Sequence, residues 1–263
     1  MSVFEGFVFT YGTSAIHRLD PRVKLLYAFS IMILSLIFSS LIIQVLLFLI
    51  QIPIVFSAGV GRRWFKTMRG CLMIAIIIFA SNLIARWLNS GYKLSLDFFE
   101  ISFAMTFRFV ALVASFSIFS LTTSPDDLSL AMEQMRVPYW FCFAFTTAIR
   151  LMPTLARDAQ AIMDAQKSRG LELEKGNFIK RIRNYVPILI PLIVSAIRRS
   201  FELAEAMESK AWGANVKRTS MKKLKFKFSD YITLFLILFS LVLGFYVNWF
   251  IKIPKISSLM KLI

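Results

Sequence analysis

The sequence predicts an all-α integral membrane protein of about five transmembrane helices, with a cytoplasmic module of amphipathic helices between the fourth and the fifth. Three observations carry this prediction. The 263 residues are 57% hydrophobic with a mean hydropathy of +0.68, whereas an ordinary soluble domain is about 45–50% apolar. Uncharged runs recur at lengths that fit a bilayer. The 31 Lys and Arg against 15 Asp and Glu, a net charge of +16, are gathered in a few segments rather than spread. A soluble enzyme does not have this composition. A basic nucleic-acid binder would need its charge on a mostly polar surface, so no nucleic-acid partner is expected.

Arg18, Arg22 and Lys24 precede an uncharged stretch of 37 residues that ends at Arg62. Two crossings of about 20 residues joined by a tight turn need this length, which predicts spans near 25–41 and 42–60 with the turn at Ser39 and Ser40. A third span covers 70–88, interrupted near its end by Arg86, and a fourth covers 101–121 and contains Arg108. An intramembrane arginine is costly and is read by default as functional, although Arg108 stands about two turns from the span's start and can snorkel outward or pair in the bundle. The last span, 231–251, is an unbroken uncharged run of 21 residues. Residues 1–123 are thus the N-terminal bundle, 124–230 the cytoplasmic module, and 231–263 the last helix and tail.

Orientation follows from the basic residues, which cytoplasmic loops retain. Arg18, Arg22 and Lys24 before the first span, and Arg62, Arg63, Lys66 and Arg69 between the second and third, place both segments and the N-terminus in the cytoplasm. The loop Asn89–Glu100 sets Lys93 against Asp97 and Glu100 and belongs outside. Five spans put the C-terminus outside as well, against which Lys252, Lys255 and Lys261 count. MSVFEGFVFTYG has neither a positive n-region nor a small-residue cleavage site, so no removable signal peptide is expected.

The module holds 18 of the 31 basic residues and 11 of the 15 acidic ones. Ser124 or Asp126 can cap a helix running DLSLAMEQM and stopping before Pro138. Tyr139–Ile149 is apolar but too short to cross a bilayer. It continues as an amphipathic helix in which Ile149, Met152, Leu155, Ala159, Ile162 and Met163 recur near helical spacing, up to a stop at Gly170. A second segment repeats the design: Val186–Ile197, with Pro187 and Pro191, passes into RRSFELAEAMESKAWGA and ends at Gly213. Basic connections, Lys175–Arg183 and Lys217–Lys227, follow the two. The pattern describes two long amphipathic helices at the membrane surface, each with a basic terminus toward the cytosol.

Catalytic constellations are scarce. His17 is the sole histidine, which excludes a histidine acid–base pair or a multi-histidine metal site, and in IHRLDPR it reads as a structural polar residue. There is no phosphate-binding loop or nucleophile elbow, so ATP hydrolysis would have to occur in another subunit. Cys71 and Cys142 read as core packing. Asp158 with Asp164, and Glu202, Glu205 and Glu208 at i, i+3, i+6, read as solvated or partner-facing stripes, which Arg198 and Arg199 can offset. No metal site is expected.

Four features together resemble the transmembrane T component of energy-coupling factor (ECF) transporters, prokaryotic importers of the ABC class. SAIHRLDPRVKLL is similar to that family's N-terminal signature, at Asp20, Pro21 and Arg22. AQKSRGLE is similar to the first Ala-Arg-Gly motif, at Ser168, Arg169 and Gly170. AMESKAWGA is similar to the second, at Ser209, Lys210 and Ala211. The order of bundle, insert and last span is the fourth. The resemblance implies coupling helices whose basic ends dock on two ABC ATPase subunits, which bind the ATP; this chain holds no cofactor and catalyses nothing. It also implies a separate substrate-binding membrane S component, uptake of a vitamin or a metal ion such as cobalt, and a place in a prokaryotic plasma membrane. Lys210 departs from the motif: it keeps the charge but loses the planar fork of arginine. Met132, Met135, Phe201, Met207 and Trp212 would offer adaptable apolar surface to the S component or pack among the helices. Two rival readings are a membrane enzyme of lipid metabolism with a metal at Asp126/Asp127 or the Glu202 cluster, and an anchor whose Lys222–Lys227 bind anionic lipid.

Overall fold

A computed structural model describes residues 14, 16–89, 96–172, 177–214, 224 and 226–250, and among them the chain is helical throughout, without strands. The helices are α1 Pro21–Ile37, α2 Leu41–Ala58, α3 Gly61–Asn89, α4 Leu96–Thr122, α5 Pro125–Gln134, α6 Tyr139–Ser168, α7 Phe178–Glu208 and α8 Phe228–Phe250. They form two compact units, 1–135 with 224–263, and 136–223. The first contains α1–α5 and α8. The short helix α5, expected in the module, packs against α1; Ser124 caps it, its hydroxyl accepting from the Asp127 amide at 3.0 Å.

Four helices are long and apolar enough to cross a membrane, Leu41–Ala58, Gly61–Leu88, Phe98–Thr122 and Phe228–Phe250, one fewer than expected. The difference lies in α1, whose 17 residues reach about 25 Å, short of a hydrocarbon core of about 30 Å. Its turn into α2 falls at Phe38–Ser40, as the spacing predicts. At both ends charge gave misleading limits. α3 starts at Gly61 and carries Arg62, Arg63, Lys66 and Arg69 inside its first turns, and α4 starts at Leu96.

That early start places Arg108 about 18 Å along α4, deeper than its expected two turns. Its guanidinium meets a helix end there: Nη2 donates to the Phe38 carbonyl at 2.7 Å, the C-cap of α1. Gln44, fully buried, donates to the same carbonyl at 2.7 Å and to the Ser35 carbonyl at 2.8 Å, and accepts from the Ser35 hydroxyl at 2.9 Å. The Ser35 and Phe38 carbonyls are thus satisfied without water, as hydrocarbon requires. Deeper in the same bundle Gln51 donates to the Ala111 carbonyl at 3.1 Å, tying α2 to α4. Around these bonds pack Val55, Ala58, Trp64, Ala114, Ile118 and Leu121.

The residues of the N-terminal signature form a clamp at the other end of α1. The Asp20 carboxylate caps the helix by accepting from the Arg22 amide at 2.9 Å, and Pro21 takes the first helical position, where no N–H is needed. The Asp20 amide donates to Asp230 at 2.9 Å, and the other Asp230 oxygen accepts from the Lys227 amide at 2.7 Å. Asp230 is 1% exposed, so one buried carboxylate joins the starts of α1 and α8. Lys24 donates to the carbonyls of His17 and Thr122 at 3.1 and 2.8 Å, which adds the end of α4. Burial pulls its ammonium down to about 8, opposed by Asp127, Asp20 and Asp230. Arg22 lies over the Phe226 ring at 5.4 Å. His17 is structural, its Nδ1 2.7 Å from the Ser14 hydroxyl. Farther along, Gly244 lets α8 approach Leu34 so closely that a Cβ there would overlap the leucine. Cys142 is buried but Cys71 is only half-buried, so the packing expectation holds for the former alone.

Replacing Asp230 by Ala strands the buried Asp20 amide, at a cost of about 1–3 kcal/mol. Asp230→Ala should lower the thermal unfolding midpoint of the detergent-purified chain by several degrees, while Asp126→Ala, at an exposed position, should leave it unchanged.

Candidate functional site

The second unit is an antiparallel pair, α6 and α7, with its register fixed by polar contacts along its length. Arg199 pairs with Asp158 at 2.9 Å, Gln166 donates to the Pro187 carbonyl at 3.4 Å, and Asn184 donates to the Glu172 carbonyl at 2.8 Å. At the far end the Trp212 ring packs, tilted, against Phe143 at 4.1 Å and Tyr139 at 5.7 Å between centroids. Arg199 therefore answers Asp158 across the pair rather than the Glu202 stripe on its own helix, and Asp164 accepts from Gln160 at 3.0 Å. α7 begins at Phe178, so residues up to Arg183 of the expected connection are helical. Residues 173–176 and 215–223, with Lys93 and the tail lysines Lys252, Lys255 and Lys261, lie outside the described residues.

Both helices end on the residues singled out by sequence, and they end in the same way. In α6, Ser168 is the last helical residue, Arg169 the C-cap, and Gly170 turns left-handed at φ +86°. The Gly170 amide donates to Lys167 O at 2.9 Å and the Leu171 amide reaches back five residues to Gln166 O at 3.0 Å. In α7, Ser209 is the C-cap and Ala211 turns left-handed at φ +57°. Its amide donates to Glu208 O at 2.9 Å, and the Trp212 amide reaches back five residues to Met207 O at 2.9 Å. This is the Schellman closure, made twice. The serine hydroxyls also turn inward, Ser168 to Asp164 O at 3.0 Å and Ser209 to Ala206 O at 2.9 Å. Ala211 conceals the equivalence in the sequence, since a left-handed alanine is uncommon.

All six residues, 168–170 and 209–211, are exposed. Among the described residues neither Arg169 nor Lys210 has an ion-pair partner. Each stands at a helix end whose last carbonyls carry partial negative charge, which favours a cation locally. Because the helices are antiparallel, the two ends lie at opposite ends of the pair: Lys210 falls beside the start of α6, and Arg169 is about 36 Å away along the axis. Along α7, Ile182, Val186, Leu189, Ile193, Ile197 and Phe201 form an exposed apolar stripe, which sequence reading had resolved only at Phe201. Among the described residues no three His, Cys, Asp or Glu side chains stand together to hold a metal, and the Asp20–Arg22 signature is absorbed in the clamp of the first unit.

Among the described residues the first unit thus holds four helices long and apolar enough to cross a membrane, and the second is a pair of long amphipathic helices with matched basic ends. Residues 12–221 match the family described as cobalt transport protein, CbiQ. The chain is 32% identical over 242 residues to the energy-coupling factor transporter transmembrane protein EcfT of Staphylococcus aureus, covering 86% of this chain and 90% of that one. It is 33% identical over 236 residues to EcfT of Lactococcus lactis, with 83% and 88% covered, and 32% identical over 252 residues to EcfT of Acidaminococcus fermentans, with 90% and 94% covered. The chain belongs to the CbiQ/EcfT family, the T components of ECF transporters.

The left-handed turns make opposite demands on substitution. Gly170→Ala should destabilise the purified chain by about 1 kcal/mol, and Ala211→Gly should stabilise it or leave it unchanged, read as thermal unfolding midpoints.

Proposed function

We propose that this T component couples two cytoplasmic ATPase subunits to a separate substrate-binding membrane subunit, for uptake of a vitamin or a metal ion. The observation that carries this reading is the duplicated helix end. Two exposed cations, each held at an identically closed terminus about 36 Å from the other along one rigid pair, suit two separate but related docking grooves. Arg169 offers a planar fork for a bidentate carboxylate contact, whereas Lys210 offers a point charge, so the two grooves are engaged with different directionality.

In the mechanism, ATP binding draws the two ATPases together and hydrolysis lets them part. The helix ends follow the grooves that hold Arg169 and Lys210, and the pair α6–α7 carries that motion to the membrane subunit, against which the apolar stripe of α7 packs. The ATP is bound and split in the partner chains. Both the N-terminus and the α6–α7 unit face the cytoplasm of a prokaryotic cell. The clamp supports this orientation, because Asp20 at the start of α1, Thr122 at the end of α4 and Asp230 at the start of α8 meet at one end of the bundle, beside the basic residues that cytoplasmic segments retain.

Replacing Arg169 and Lys210 together by Glu should abolish co-purification of the ATPase subunits while leaving the chain folded in the membrane. Either single reversal should weaken the complex, with Arg169→Glu the more severe because it removes a bidentate contact. An intact complex in the double variant would refute the docking.

A further inference from the structure

α3 is the longest helix of the first unit and the span least covered by the rest of it: 6% of its apolar window is buried, against between 11% and 39% in the other three. Its 29 residues extend about 43 Å, whereas a hydrocarbon core is about 30 Å thick and a bilayer with its headgroups about 40–45 Å. The helix therefore reaches through both headgroup layers. Arg69 and Arg86 bound its uncharged stretch and stand about 26 Å apart along the axis, which sets them at the two edges of the hydrocarbon. Lys66 and Arg62, up to about 10 Å beyond Arg69, then fall at the level of the lipid phosphates.

The direction of these side chains decides what they meet. Each residue turns an α-helix by about 100°, so Arg62, Lys66, Arg69, Met73 and Ile76 fall within about 80° of one another. Trp64, Thr67 and Ala75, all buried, fall within about 40° of the opposite side, where α3 packs against α4. The three basic residues are exposed, as are Met73 and Ile76. One face thus runs from cations at phosphate level into apolar side chains at acyl depth, turned away from the bundle. The helix supplies no carboxylate to answer these cations, since the chain has no Asp or Glu between Asp20 and Asp97. Among the described residues neither Arg62 nor Arg69 has an ion-pair partner. A zwitterionic headgroup carries its own cation and gains little at such a face, whereas an anionic one brings the missing charge.

We infer that the outward face of α3 formed by Arg62, Lys66 and Arg69 is a binding site for an anionic phospholipid, its headgroup held among the three cations and its acyl chain lying along Met73 and Ile76. The test uses the full chain, with and without the subunits that co-purify with it, in nanodiscs of phosphatidylcholine carrying phosphatidylglycerol as the minor component. In separate samples one lipid or the other bears a diazirine midway along its acyl chain. Per mole of probe, irradiation should label Met73 and Ile76 at least about fivefold more from phosphatidylglycerol than from phosphatidylcholine. The exposed Phe239 and Val242 of α8, a helix with no Lys or Arg, should label equally from both. Arg62→Gln combined with Arg69→Gln should bring the ratio at Met73 and Ile76 down to that on α8, and Arg62→Lys combined with Arg69→Lys should keep at least half of it. The wild-type ratio decides by itself should a variant fail to fold. Equal labelling of Met73 and Ile76 from both lipids in the wild-type chain, or a preference that survives the glutamine pair, would overturn the site. Loss of the preference in the folded lysine pair would show that charge is not what is read and overturn it too. Disappearance of the label once the co-purifying subunits are present would give the face to a protein and overturn the lipid.

Discussion

The register of α6 against α7 is the constraint on which the reading of this protein depends. Arg199 on Asp158, Gln166 on the Pro187 carbonyl, Asn184 on the Glu172 carbonyl and Trp212 on Phe143 all describe one antiparallel alignment. Slide one helix by a turn and every one of these contacts is lost. With the register held, each helix end is brought beside the other's beginning, and the two basic residues face outward from opposite ends of one pair. The Arg199–Asp158 ion pair, between partly exposed groups, contributes little energy by itself. Its value lies in position, and Trp212 adds aromatic contacts to Phe143 and Tyr139 at the end beside the start of α6.

The membrane unit obeys a different constraint, because hydrocarbon offers its backbone no water. Side chains meet several of the helix ends in this unit: Arg108 and Gln44 at the end of α1, Lys24 at the end of α4, Asp230 at the start of α1. The charged side chains among these are thus spent on helix termini. Arg108 is the clearest case. In place of a substrate or a second charge it holds a carbonyl, and a guanidinium with five donors serves that purpose at depth better than a neutral amide alone.

Much of this was legible in the sequence, and the failures have physical causes. Long uncharged runs marked α2 and α8 closely, because transfer of charge into hydrocarbon limits where such runs can end. The same criterion misjudged α1, α3 and α4, since a helix does not stop where the bilayer does: Pro21 and Gly61 begin helices whose first turns carry Arg22, Lys24, Arg62 and Arg63. The two helix ends were found from small and basic residues before a glycine. Yet the shared left-handed turn was visible only at Gly170, since Ala211 carries no such signature. The Asp20–Asp230 bond joins residues 210 apart in the chain, and no local pattern could have paired them. The exposed stripe on α7 was legible only at Phe201, because the run from Val186 to Ile197 is apolar on nearly every position and marks no single face.

The central claim is that one chain engages two ATPase subunits at once through Arg169 and Lys210. Its most direct measurement is site-specific cross-linking, with a photoreactive phenylalanine at position 169, at 210, and at both. The account predicts one ATPase attached to each single variant and, in the double variant, a product containing one chain and two ATPases. Attachment of the same single ATPase from both positions, or of none, would contradict it.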